Sequence, residues 1–185
     1  GVLLNPYQAS VYLNGRDHIV VRGVTFSGIT QGLDIRHGAD YNEIDRCVFT
    51  NINTYSANLI WDQGGTPSRY NWIHDSVFHD IGYVKRVTSA TDCDDVSTPL
   101  RIGNDTGRDT SSYNLLERNH FYHGGHDLMI VATKYNTIRN NVLRNEGWFL
   151  NREGPCSSAA GGYNNPSHFG GRGIVQFLRW LHDQG

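Results

Sequence analysis

What this 185-residue sequence has little of narrows its class before any motif is read. It carries one methionine and few long aliphatic runs, so extended helices are not expected; 21 glycines, 10 tyrosines and many asparagines favour short strands joined by tight turns. No apolar run approaches the roughly 18 residues that a membrane helix needs, and no membrane span is expected. Charge of neither sign dominates: 16 Lys and Arg stand against 18 Asp and Glu, a net charge of −2. With no basic stripe to neutralise phosphates, nucleic acid is set aside as a partner. Gly1-Val2-Leu3-Leu4-Asn5 lacks the basic and apolar regions of a signal peptide. The length predicts a single domain over residues 1–185, expected to be a segment of a longer chain.

What is present is a repeat. Tyr113-Asn114-Leu115-Leu116-Glu117-Arg118-Asn119-His120-Phe121 recurs as Tyr135-Asn136-Thr137-Ile138-Arg139-Asn140-Asn141-Val142-Leu143, 22 residues on. The same unit appears upstream at Tyr41 to Phe49 and Tyr70 to Phe78, with a more apolar version at His18 to Phe26. Anchored on Phe26, Phe49, Phe78, Phe121 and Leu143, the steps are 23, 29, 43 and 22 residues. A base period near 22 with two lengthened steps is the signature of stacked supersecondary units with insertions on one edge.

Each repeat holds a second strand signal, at Ser10 to Asn14, Gly32 to Arg36, Asn58 to Asp62, Pro99 to Gly103 and Asp127 to Val131, with apolar residues at i and i+2. That period predicts one outward column of Tyr12, Asp34, Ile60, Arg101 and Met129, and a second of Asn14, Arg36, Asp62, Gly103 and Val131. Rungs would lie about 4.8 Å apart. A coil of this length built from short strands, with its Y-N-x-I/L unit, resembles the right-handed parallel β-helix of the pectate lyase superfamily over residues 8 to 148. The resemblance implies an all-β solenoid of five to six coils with loop insertions at one corner, a fold that hosts lyases, hydrolases and adhesins alike. Asn42, Asn71, Asn114 and Asn136 fall in register, as do Asn119 and Asn141, and predict asparagine ladders satisfying backbone groups at the turns. The phenylalanines predict a stacked core column; Trp61, Trp72 and Trp148 fall outside it.

Insertions run over Gln63 to Arg69, Tyr83 to Pro99 and Asn104 to Ser112, and residues 149–172 read as an irregular Gly-, Ser- and Asn-rich stretch. Gly173 to Leu178 fits a strand of a further coil, although Ile174, Phe177, Leu178 and Leu181 also have helical spacing. Cys47 takes a repeat position held elsewhere by Ser76, Asn119 and Asn141, so it is expected to be a buried thiol. Cys93 and Cys156 lie in insertions at one corner, and a bridge between them would go with an oxidising, extracellular setting.

Candidate chemistry gathers around the long insertion. Asp94-Asp95 before one face strand and Gly125-His126 before the next are similar to the acidic pair and histidine motif of polygalacturonases, with Asp127 standing where that family has glycine. Lys134 and the Arg36-His37-Gly38 string look similar to alginate lyases and chondroitinase B of the same fold, in reversed order. Arg101 with Asp62 or Asp127 on adjacent rungs completes the candidate acid/base set. Catalysis is therefore expected from Asp94, Asp95, Arg101, His126 and Asp127, and substrate binding from Asp34, Arg36, Asp62 and Trp61. No cofactor is required; calcium is the candidate metal, on Asp92, Asp94 and Asp95, while His120 and His123 lack the matched second pair that zinc needs. The expectation is an extracellular or cell-surface carbohydrate-active protein whose partner is an acidic polysaccharide or surface glycan. The alternative is a structural or adhesive module that self-associates end to end.

Overall fold

Three short strands, each followed by a sharp corner, make one coil of this chain, and the coil then repeats. The computed structural model describes residues 9–29, 31–52, 56–62, 65–81, 98–103, 110–123, 127–144 and 172–176. The first coil is β1 (Ala9–Asn14), β2 (Val20–Arg22) and β3 (Thr25–Ser27), and the second is β4 (Gln31–Arg36), β5 (Glu43–Asp45) and β6 (Val48–Ile52). The third is β7 (Ser56–Trp61), β8 (Trp72–His74) and β9 (Val77–Ile81), and the fourth is β10 (Thr98–Ile102), β11 (Leu115–Glu117) and β12 (His120–Tyr122). The fifth is β13 (Asp127–Val131), β14 (Thr137–Arg139) and β15 (Val142–Arg144), after which β16 (Arg172–Gln176) opens another. Residues 172–176 thus form a strand, and Phe177, Leu178 and Leu181 lie outside the described residues.

Equivalent strands stack in parallel. Sheet A has the order β1-β4-β7-β10-β13-β16, sheet B β14-β11-β8-β5-β2 and sheet C β15-β12-β9-β6-β3. Every hydrogen-bonded neighbour is therefore one coil away, the topology of a parallel β-solenoid and the class that the repeat predicts. Among the described residues no helix is long and apolar enough to cross a membrane.

The interior is built from columns of like residues. Ile44, Ile73 and Leu116 fill it from sheet B, and Phe26, Phe49, Phe78 and Phe121 from sheet C, ring on ring at 4.6 to 4.7 Å. Each such pair contributes about 0.5–1.5 kcal/mol beyond its area burial. Cys47 lies among them, 1 % exposed, as its repeat position predicts.

The corners explain the Tyr-Asn pair. His18, Tyr41, Tyr70, Tyr113 and Tyr135 all adopt left-handed backbone, with φ between 57° and 61°. This costs an L-residue about 1–2 kcal/mol. Their rings stack outside at 4.9 to 5.4 Å, while the Asn that follows each tyrosine turns inward and caps the coil below. Asn71 Oδ1 accepts the Asn42 backbone N–H at 3.0 Å, Asn114 accepts that of Asn71, and Asn136 that of Asn114. A second ladder at the B-to-C corner runs through Cys47, Ser76, Asn119 and Asn141. Both expected asparagine ladders are formed.

The expected outward columns of sheet A need correction. Ile60 pairs with Ile35 and Ile102, and Met129 with Leu100, so Ile60, Met129 and Val131 belong to the inward, buried set. In register, Leu59 stands beside Asp34 and Arg101, Ile130 beside Arg101, and Trp61 beside Arg36. Asp62 and Gly103 follow their strands and are buried at the turn. The cause is that Leu59-Ile60-Trp61 and Leu128-Met129-Ile130-Val131 are unbroken apolar runs, so they carry no period of two, and a one-residue slip exchanges the faces.

Candidate functional site

On the outer side of sheet A, a residue two along the strand shares the face of the first, and Asp34 and Arg36 form an ion pair through both carboxylate oxygens. Asp34 is 3 % exposed. Burial pushes its carboxyl above the usual range, and the Arg36 guanidinium acts against that shift. The guanidinium lies over the Trp61 ring at 4.3 Å and faces Tyr12 at 5.7 Å, one strand away on either side. Trp61 turns its indole N–H toward the same carboxylate but outside hydrogen-bond geometry. A planar cation is thus fixed between two aromatic rings, of which Tyr12 is 47 % exposed.

Of the residues expected to bind substrate, the fold brings Asp34, Arg36 and Trp61 together and adds Tyr12. Asp62 is placed elsewhere. Buried behind the strand, it accepts the Thr110 backbone N–H at 3.0 Å and ties down the connection before sheet B. Arg101 sits in β10 between Leu59 and Ile130, and its Nε donates to the Gly103 carbonyl at 2.9 Å. Asp62 and Asp127 stand three positions from those partners in opposite directions, roughly 10 Å each along the strand. Asp127 opens β13, its backbone paired with Arg172. Asp92, Asp94, Asp95, His126, Trp148 and the Cys93–Cys156 bridge lie outside the described residues.

Sheet B carries a charge ladder instead. Arg22, Asp45, His74, Glu117 and Arg139 follow one another up its outer side. Arg22 binds Glu43 at 2.8 Å and Asp45 at 2.6 Å, Arg139 binds Glu117 at 2.6 Å, and Arg118 reaches both Asp75 and Glu117. Glu43, Asp45 and His74 bring three ligand atoms within 4.8 Å of one another. Arg22 and Arg46 already neutralise those carboxylates, so the group is an ion-pair network in which acidic and basic side chains alternate from rung to rung. Trp72 belongs to it, stacked on His74 at 3.8 Å and donating to Glu117.

Sheet C differs from both. One residue past the phenylalanine column its outer side reads Ser27, Thr50, His79, Tyr122 and Arg144, a new residue type at every rung. His79 stacks flat on Tyr122 at 5.0 Å, and Arg144 lies over the Tyr122 ring at 5.5 Å. Asp80 contacts His79 Nδ1 at 2.8 Å and His123 Nδ1 at 3.2 Å. This group was not anticipated. Its signal was nevertheless in the repeat: the position after each anchor holds His79, Tyr122 and Arg144, whereas the anchor itself is Phe49, Phe78 and Phe121 in the coils below.

A family model described as a right handed beta helix region matches residues 9–168. No curated protein and no solved structure matches the chain.

Proposed function

The chain belongs to the right-handed β-helix family, and from that premise we propose that it is an extracellular carbohydrate-active protein that binds an acidic polysaccharide across the outer side of sheet A. The observation that carries this reading is Arg36 held between Tyr12 and Trp61. Aromatic rings present an apolar surface on which a sugar ring stacks, and a guanidinium pairs with carboxylate or sulfate through a planar fork of donors. Asp34 takes Nε and one Nη of Arg36 and holds the guanidinium in one orientation, so little side-chain freedom is lost on binding. A net charge of −2 offers no general attraction to polyanions, and Asp34 offsets the Arg36 charge, so binding would rest on the stacking rings and on directed hydrogen bonds.

Affinity electrophoresis through gels containing pectate, alginate, chondroitin sulfate or a neutral glucan tests this. Retardation is expected in at least one acidic gel and not in the neutral one, with Arg36→Ala and Trp61→Ala running as they do without glycan. Equal mobility in every gel would instead favour the structural or adhesive module.

A further inference from the structure

We infer that the row of aromatic rings at the corner between sheets A and B is a lateral self-association surface, on which a second copy of this chain packs antiparallel about a two-fold axis. This corner is separate from the sheet A site, and the association does not depend on a glycan.

The row runs His18, Tyr41, Tyr70, Tyr113 and Tyr135, one ring per coil, with neighbouring rings within 12° of parallel. Its four tyrosines are 45 to 69 % exposed, and exposed His18 and Val20 extend the strip at its lower end. Left-handed backbone does not call for these rings. The corner between sheets B and C makes the same turn with Arg46, Asp75, Arg118 and Asn140. A contiguous exposed aromatic strip marks an interaction surface. It is not a platform for sugars, because Tyr41, Tyr70 and Tyr113 each have a ring stacked on both faces and offer water only their edges and hydroxyls. Edges repeating at one rung per ring are met in step by a partner of the same pitch, and a second copy has that pitch.

The residue before each ring sets the orientation. From the lowest coil upward it reads Asp17, Asp40, Arg69, Ser112 and Lys134. These positions are in register, since Asp17 Oδ1 accepts the Asp40 backbone N–H at 2.7 Å and Asp40 Oδ1 accepts that of Arg69 at 2.6 Å. The row is therefore acidic at one end and basic at the other, with Asp17 and Lys134 both exposed. A parallel pair of copies would set Asp17 against Asp17 and Lys134 against Lys134, whereas an antiparallel pair sets each acid against a lysine. One patch then serves both copies. Tyr70, the middle ring, lies at the axis, where the Arg69 of each copy has its own Asp40 one rung below. At about 200 Å² per aromatic side chain, roughly half exposed, the strip offers about 500 Å² per copy. Two copies would bury about 1,000 Å², the lower end for a specific interface, so the contact is that of a reversible dimer.

Sedimentation velocity over a concentration series of the chain tests this. A monomer–dimer equilibrium is expected, with nothing larger, because a two-fold contact closes on itself. Asp17→Lys and Lys134→Asp should each weaken the dimer about tenfold or more, and the two exchanges together in one chain should restore it. Both positions are exposed, and circular dichroism melts of the variants separate loss of association from loss of fold. Tyr113→Ser should also weaken the dimer. A chain that stays monomeric throughout, a dimer indifferent to both charge exchanges, or open-ended growth beyond the dimer would overturn the inference. Retardation of a monomer in a neutral glucan gel, abolished by Tyr113→Ser, would overturn it as well and give the row to a sugar chain.

Discussion

Asn114 holds Asn71 through one atom: its Oδ1 accepts both the backbone N–H and the side-chain N–H of Asn71, each at 3.0 Å. Asn71 does the same for Asn42 and also donates to the Ala39 carbonyl. The left-handed corners are held because every buried N–H they turn inward meets such an acceptor. Asn71→Ala should therefore strand the Asn42 N–H and the Ala39 carbonyl, at about 1–3 kcal/mol for each buried unsatisfied group. A fall of at least about 2 kcal/mol in urea unfolding is expected. A loss no larger than that of an average surface substitution would show that the ladder is incidental.

The phenylalanine stack predicts a gradient. Phe78 has a ring on each side, at 4.6 Å from both Phe49 and Phe121, whereas among the described residues Phe26 has a stacked ring on one side only. Phe78→Ala should cost about 3–5 kcal/mol and Phe26→Ala distinctly less. Thermal melts of the two variants compare them directly, and a reversed order would contradict the stacked-core account.

Gly103 is a corner where an added side chain would clash. Its φ of 83° is left-handed, and a Cβ there would lie 2.5 Å from Thr133 Cγ2. Gly103→Ala combines backbone strain with a clash and should destabilise by about 1–3 kcal/mol. Gly23→Ala, at φ 65° with nothing within 4 Å of the added carbon, meets the strain alone and should be the milder change. Circular dichroism melts rank the pair.

Acid should weaken the fold through sheet B. Hydrogen bonds from Arg118 and His74 hold the Asp75 carboxyl far below the usual range, and Arg139 with Arg118 holds Glu117 down. Burial pushes Asp45 up, but Arg46 and Arg22 outweigh it and leave it lowered. A group whose folded pKa is depressed contributes stability above its unfolded value, near 4 for a carboxylate, and loses it as pH falls toward the folded value. Asp34 and Asp40 act in the opposite sense, since burial raises both. The melting temperature of the wild type is expected to drop below about pH 4. Arg118→Gln should show a shallower drop, and added salt should shrink the difference because the Arg118–Asp75 pair is exposed to solvent.

Much of this fold is legible in the sequence because the solenoid demands register. An asparagine that caps the coil below, an inward aliphatic and a stacked phenylalanine must each recur at one place per coil, so the unit from Tyr41 to Phe49 announces itself again at Tyr70, Tyr113 and Tyr135. Asp34 and Arg36 were legible as outward residues of one strand for the same reason, though not as an ion pair. Sheet A was harder, since Leu59-Ile60-Trp61 is apolar at every position and nothing in it says which residue points in. Asp62 reads as a surface acid and is in fact a buried acceptor for Thr110, a role created by a contact 48 residues away. The sheet C group escaped notice because its residues are dissimilar, and a search for likeness between repeats passes over the column where likeness stops.

The claim that most needs a direct answer is that Arg36 recognises the acidic group of a sugar chain. Calorimetric titration of the chain with pectate oligomers, and with the same oligomers after methyl esterification, isolates that group while keeping the sugar rings. The account predicts binding of the acid form, sharp weakening on esterification, and loss of the difference in Arg36→Ala. Equal affinity for the two forms in the wild type, or an Arg36→Ala variant that still distinguishes them, would contradict it.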